Sequence, residues 1–134
     1  MRKLKPQTRK VIAQREDQLV EKAQNIAQTL WDELDPGQRL DGKVRQLRNI
    51  LEVAESTDSW KALDLFIRYQ AARKEIPKPW AESAIQELDA LQPDAQKIAK
   101  ETGDKPKTVH LELVTRVLGH AVRWHLWDVK KREG

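Results

Sequence analysis

The sequence predicts an all-α protein, a compact bundle of about five helices. Apolar residues recur at spacings of three, four and seven through successive stretches of the chain. No stretch shows the strict alternation of a half-buried strand. The six prolines fall between the periodic segments and the five glycines are few. At 134 residues, 39% hydrophobic and 34% charged, the chain fits one soluble domain that buries roughly two-thirds of its unfolded surface.

The first helix is expected from Pro6 or Gln7 to Leu34, where Ile12, Leu19, Ala23, Ile26, Leu30 and Leu34 form one stripe. Asp35-Pro36-Gly37 closes it in a turn. The second starts near Asp41, an N-cap residue, and runs to Glu55 with Val44, Leu47, Ile50, Leu51 and Ala54 inward. Ser56-Thr57-Asp58-Ser59 connects it to a third helix, Trp60 to Glu75, and supplies that helix with an N-cap. This third helix is apolar on two faces: Trp60, Leu63, Ile67 and Ala71 on one, Leu65, Tyr69 and Ala72 on the other. A helix contacted from two sides is central to a bundle or is half of an oligomer interface. The bundle centre is the expectation here, because Trp60 sits where the helix must enter the core.

Ile76-Pro77-Lys78-Pro79 breaks the chain before a fourth helix, Trp80 to Leu91. Ala95 to Lys100 adds a short piece after Pro93, and Thr102 to Thr108 is a loop. The last helix spans Val109 to Lys130. Of the tryptophans, Trp31 and Trp60 are expected in the core and Trp80 as a cap on a helix start.

The net charge is +4, and its placement is uneven. Arg2, Lys3, Lys5, Arg9 and Lys10 open the chain with no acid among them, and Lys130, Lys131 and Arg132 close it. Residues 1–6 and 131–134 are expected as mobile basic ends, solvated or attracting polyanions non-specifically. No apolar run approaches the ~20 residues of a membrane span, and no signal-peptide core follows the basic start. With no cysteine, disulfides and thiolate zinc sites are excluded, and the cytoplasm is the expected compartment.

Nothing in the sequence points to catalysis or to a cofactor. His120 and His125 lie about 140° apart on a helix and cannot share a metal from one face. No zinc-protease, phosphate-loop or serine–histidine motif is present. His125, beside Leu118 and Val122, is expected as a core histidine.

Binding is better supported. Arg45 and Arg48 project from the side of the second helix opposite Leu47, Ile50 and Ala54. They are either an anion contact or half of a charge ladder with Asp41 and Glu52. On the third helix Tyr69 and Arg73 are one turn apart, while Arg68 shares a stripe with Asp64 and Lys61. On the last helix Arg116, His120, Arg123, Trp127 and Lys130 fall within about 80° of arc, opposite Val114, Val117, Leu118 and Ala121. Such a ridge suits single-stranded nucleic acid, the cations on phosphates and the indole on a base. The competing reading packs Trp127 on a neighbouring helix or subunit and leaves the cations solvated.

The order QLRNIL, polar break, then an apolar helix ending in IRYQAAR resembles the small subunit of type III (Csm-type) CRISPR effector complexes. Gln46, Leu47 and Arg48, then Tyr69, Ala71, Ala72 and Arg73, carry the resemblance. It implies a short, all-α, non-catalytic subunit that stacks in several copies along the complex. Beside it would lie the backbone and large subunits, with the guide RNA and the target RNA. Such a subunit contacts the sugar-phosphate backbone regardless of sequence. The candidate RNA-binding residues are Arg45, Arg48, Arg68, Arg73, Arg116, Arg123, Trp127 and Lys130. The alternatives are a helical protein–protein adaptor and, third, a DNA-binding regulator, whose recognition helix would be unusually apolar.

Overall fold

The computed structural model describes residues 2–35, 37–38 and 43–133, and the described residues contain helices and no strand. The helices are α1 (Pro6–Ala13), α2 (Glu16–Glu33), α3 (Val44–Ser56), α4 (Trp60–Ala72), α5 (Lys78–Asp89), α6 (Gln92–Thr102) and α7 (Pro106–Glu133). The all-α class holds, with seven described segments in place of the expected five or so. Asp41, the expected cap of the second helix, and Pro36 of the expected turn lie outside the described residues.

One extra segment comes from the first helix, which is broken at Gln14 and Arg15. No proline or glycine stands there, so the break comes from tertiary anchoring. The Asp104 carboxylate accepts the Lys5 backbone N–H and the Thr8 hydroxyl, capping α1 from across the molecule. Arg15 pairs with Asp94 at 3.4 Å and holds the break against α6. The predicted stripe still faces inward, from Ile12 through Leu34.

Prolines start helices here more often than expected. Pro79 lies in the first turn of α5 and Pro106 opens α7, where a missing N–H costs nothing. Both helices therefore begin two to three residues early, and the expected Thr102–Thr108 loop shrinks to 103–105. Gly103, at φ 85°, turns the chain out of α6 and its N–H reaches the Ala99 carbonyl at 2.8 Å. In α4, Ser59 caps as expected, its hydroxyl accepting from the Ala62 N–H.

The third helix, expected to reach Glu75, ends at Ala72 in a Schellman turn. The Glu75 N–H bonds the Gln70 carbonyl and the Lys74 N–H bonds that of Ala71, with Lys74 left-handed at φ 63°.

Helices α2, α7, α3, α4 and α5 close a ring, each packed on the next and α5 back on α2. Helix α6 covers α7 from outside, and α1 packs on α6. The centre is therefore α7, and the expectation that the third helix is central is corrected. Val109, Leu111, Leu113, Val114, Val117, Leu118 and Ala121 of α7 are all buried, so apolar residues run around most of its first half. In α4 only the Leu63–Ile67 face is buried, while Leu65 is 68% and Tyr69 52% exposed.

The tryptophans also need correction. Trp31 is core, as expected. Trp80, expected as a cap on a helix start, stands in the first turn of α5 but is core: it is buried, and its indole N–H donates to the Ile26 carbonyl at 2.9 Å. Trp60 is only half-buried, meets His110 edge-on at 5.1 Å and donates to Asp89. His125 is fully buried, as its apolar neighbours imply.

The basic N-terminus is tied down. The Arg2 side chain is 6% exposed and donates to the Ala54 and Thr57 carbonyls and to the Thr115 hydroxyl. That differs from the loose, solvated start expected for residues 1–6. At the other end, α7 continues helical to Glu133, and Lys131 pairs with Asp128 at 3.3 Å.

Candidate nucleic-acid interface

Helices α3 and α7 run antiparallel. The Arg2 guanidinium bonds both Ala54 and Thr57 at the end of α3, and on α7 it bonds Thr115 and pairs with Glu112 at 3.8 Å. Further along the pair, Leu51 and Glu55 face Arg116, Gly119 and Arg123 across a cavity of about 310 Å³. Arg48 lies one turn before Leu51 on α3.

Arg45 and Arg48 are exposed, and among the described residues neither has a carboxylate partner. The Arg48–Glu52 pair of the expected charge ladder does not form, and Asp41, the other expected partner, lies outside the described residues. Arg123 is also exposed, and its described polar bond runs to the Nδ1 of His120 at 3.2 Å. This geometry leaves most of a guanidinium fork facing outward. Gly119 matters to this approach, because its missing side chain leaves the groove floor open beside the Arg123 guanidinium, 3.9 Å from where a Cβ would stand.

Arg116 is differently placed. Its Nε donates to Glu112 at 3.0 Å and its Nη1 to Glu16 at 3.3 Å. Glu16 also meets the Nε2 of His120. The lower half of the expected ridge is therefore neutralised by a helix a hundred residues earlier in the chain. Its upper half stays open: Trp127 is 58% exposed, and with Val20 and Trp124 it borders an apolar recess of about 320 Å³ beside Arg123. Trp124 is fixed by its indole N–H on the Val20 carbonyl at 3.1 Å. Lys130 is exposed one turn beyond Trp127.

The arginines of α4 and its C-terminal turn are not part of this groove. Arg68 bonds Asp64 at 2.6 Å and borders a separate hollow between α4 and α5. Arg73 lies 5.4 Å over the Tyr69 ring, a cation–π contact, and pairs loosely with Glu75 at 4.0 Å. Glu75 in turn accepts from Gln46 at 3.3 Å, so the two sequence motifs meet where α3 begins and α4 ends. Arg73 therefore stands at the same end of α3 as Arg45.

Among the described residues no cluster of three metal-ligating side chains occurs, and no helix is long and apolar enough to cross a membrane. Comparisons with protein-family models, curated proteins and solved structures find no match for this chain.

Proposed function

We propose that the chain is a non-catalytic RNA-binding subunit that grips a sugar-phosphate backbone along the α3–α7 groove, irrespective of base sequence. The observation that carries the proposal is the exposure of Arg45 and Arg48 on α3 and of Arg123 and Trp127 on α7, two helices packed on each other. Guanidinium forks suit phosphate oxygens, and a tryptophan face stacks on any base. The Gln46–Arg48 and Tyr69–Arg73 motifs make the small subunit of a type III CRISPR ribonucleoprotein the specific assembly proposed. In it the chain would lie beside guide RNA and target RNA, with backbone and large subunits and further copies of itself.

A second reading draws on the Leu65–Tyr69 face of α4, which is exposed and apolar. It makes the chain a protein–protein adaptor whose cations serve solubility. Tagged purification from the native host separates the two. Co-purifying RNAs of discrete lengths with a shared 5′ segment, together with larger subunits, support the first reading. An RNA-free protein with unrelated partners supports the second.

A further inference from the structure

His120 stands on α7 between Arg116 and Arg123, and both of its ring nitrogens are engaged. Nδ1 lies 3.2 Å from the Nη1 of Arg123, one turn further along the helix. A guanidinium has donors only, so Nδ1 must offer its lone pair and the proton of the ring sits on Nε2. Nε2 donates that proton to the Oε1 of Glu16, at the start of α2. The other carboxylate oxygen, Oε2, accepts from Arg116 at 3.3 Å. We infer that His120, fixed by Glu16, is a positioning residue that orders the Arg123 guanidinium for a phosphate. This role rests on the proposed RNA binding and adds to it two residues that act through Arg123.

The chemistry of the support is what carries the inference. A carboxylate would hold the Arg123 guanidinium as firmly but would cancel its charge, as Glu16 and Glu112 do for Arg116. An imidazole lone pair holds one N–H and leaves the charge and the other donors for phosphate oxygens. Among the described residues Arg123 has no carboxylate partner, so this bond is its described polar support. The support is itself fixed. The His120 side chain is 20% exposed, and Glu16, held at both oxygens, clamps it from a helix a hundred residues earlier. Ordering a long side chain before its ligand arrives removes part of the entropy cost of binding.

Such a support fails when the imidazole is charged. A second proton would occupy Nδ1, remove the acceptor and set two cations against each other. The charged groups described around His120 are Glu16 of α2, Glu55 of α3, which lines the same cavity, and Arg116 and Arg123 of α7.

Binding of single-stranded RNA, followed by fluorescence anisotropy, tests the role in the wild type, His120→Leu, Arg123→Ala and the double variant. At pH 8, His120→Leu should weaken binding roughly three- to tenfold, although it removes no guanidinium. The double variant should bind no more weakly than Arg123→Ala, because His120 acts through Arg123. The ratio of the Arg123→Ala dissociation constant to that of the wild type should shrink towards one as pH falls from 8 to 5.5. Glu16→Ala should weaken binding even though it removes a negative charge, and Glu16→Gln, which keeps an acceptor for the Nε2 proton, should recover most of the loss. On the free wild-type chain, nitrogen NMR should find the His120 proton on Nε2 at pH 8, and a proton on Nδ1 would overturn the role whatever the variants do. So would additive losses in the double variant, a ratio constant with pH, or tighter binding by Glu16→Ala. Loss of binding in Arg123→Ala with none in His120→Leu would overturn this role alone. No RNA binding at any pH would overturn the proposed function, and this role with it.

Discussion

Among single residues, His110 makes a claim that pH can check. Burial pushes its imidazole below the ordinary value of 6.5, and its Nε2 is held on the Leu88 carbonyl at 2.9 Å. The unfolded chain then binds the proton first as pH falls. Stability from this group is complete above about pH 6.5 and is lost as pH drops toward the lower folded value. Denaturant midpoints measured from pH 7.5 to 5 should fall in the wild type, and His110→Leu should flatten that part of the profile. A profile unchanged by the substitution would show that the fold leaves His110 at its unfolded pKa. Trp80 makes a simpler claim. Trp80→Ala empties a core site and removes the indole's bond to the Ile26 carbonyl, so unfolding should cost about 3–5 kcal/mol less by denaturant titration. The environment of Trp80 is not readable from spacing alone. It stands next to Pro79, where a helix start and a surface cap look alike, and its partner on α2 is 54 positions away. The same holds for Arg116, which the ridge pattern groups with Arg123 and which Glu16 claims from a hundred residues earlier. Helical spacing shows which side chains share a face, while the partner opposite that face is set by tertiary packing.

At the scale of elements, the inward faces are legible in the sequence and the ends less so. The stripes of α2 and α3 are buried as their periodicity requires, because the spacing of apolar residues is the cause of the packing. The end of α4 is hard to read because its stop signal is a lysine, Lys74, in a conformation usually given to glycine. That misfit carries its own test. Lys74→Gly should raise stability by roughly 0.5–1 kcal/mol, since relief of the left-handed strain exceeds the added freedom of the unfolded chain. A decrease of that size in thermal unfolding would mean that the Lys74 side chain holds the turn. The break between α1 and α2 has no local signal at all, since it depends on Asp104 and Asp94 far along the chain.

For the whole molecule, α7 is the organising element, about 42 Å long by its 28 residues. Its first half is buried by α3 and α6, with α2 packed along it, and its last turns present Arg123, Trp127 and Lys130 outward. This division leaves one helix with a core half and an exposed end, the part that the proposed function uses as a binding ridge. Of the eight candidate residues, Arg45, Arg48, Arg123, Trp127 and Lys130 are exposed on α3 and α7. Arg68 faces another hollow, Arg116 is held by two carboxylates, and Arg73 borders the site only at its far end.

The most direct measurement is the salt dependence of single-stranded RNA binding, by fluorescence anisotropy, for the wild type, Arg48→Ala, Arg123→Ala and Arg68→Ala. A backbone grip on the α3–α7 groove predicts weaker binding for the first two variants on every RNA sequence tried. Each should lower the slope of log K against log salt by ~0.7 for every phosphate the variant no longer neutralises, and Arg68→Ala should match the wild type. Equal effects of all three variants, or no binding beyond that of an unrelated protein of equal charge, would contradict it.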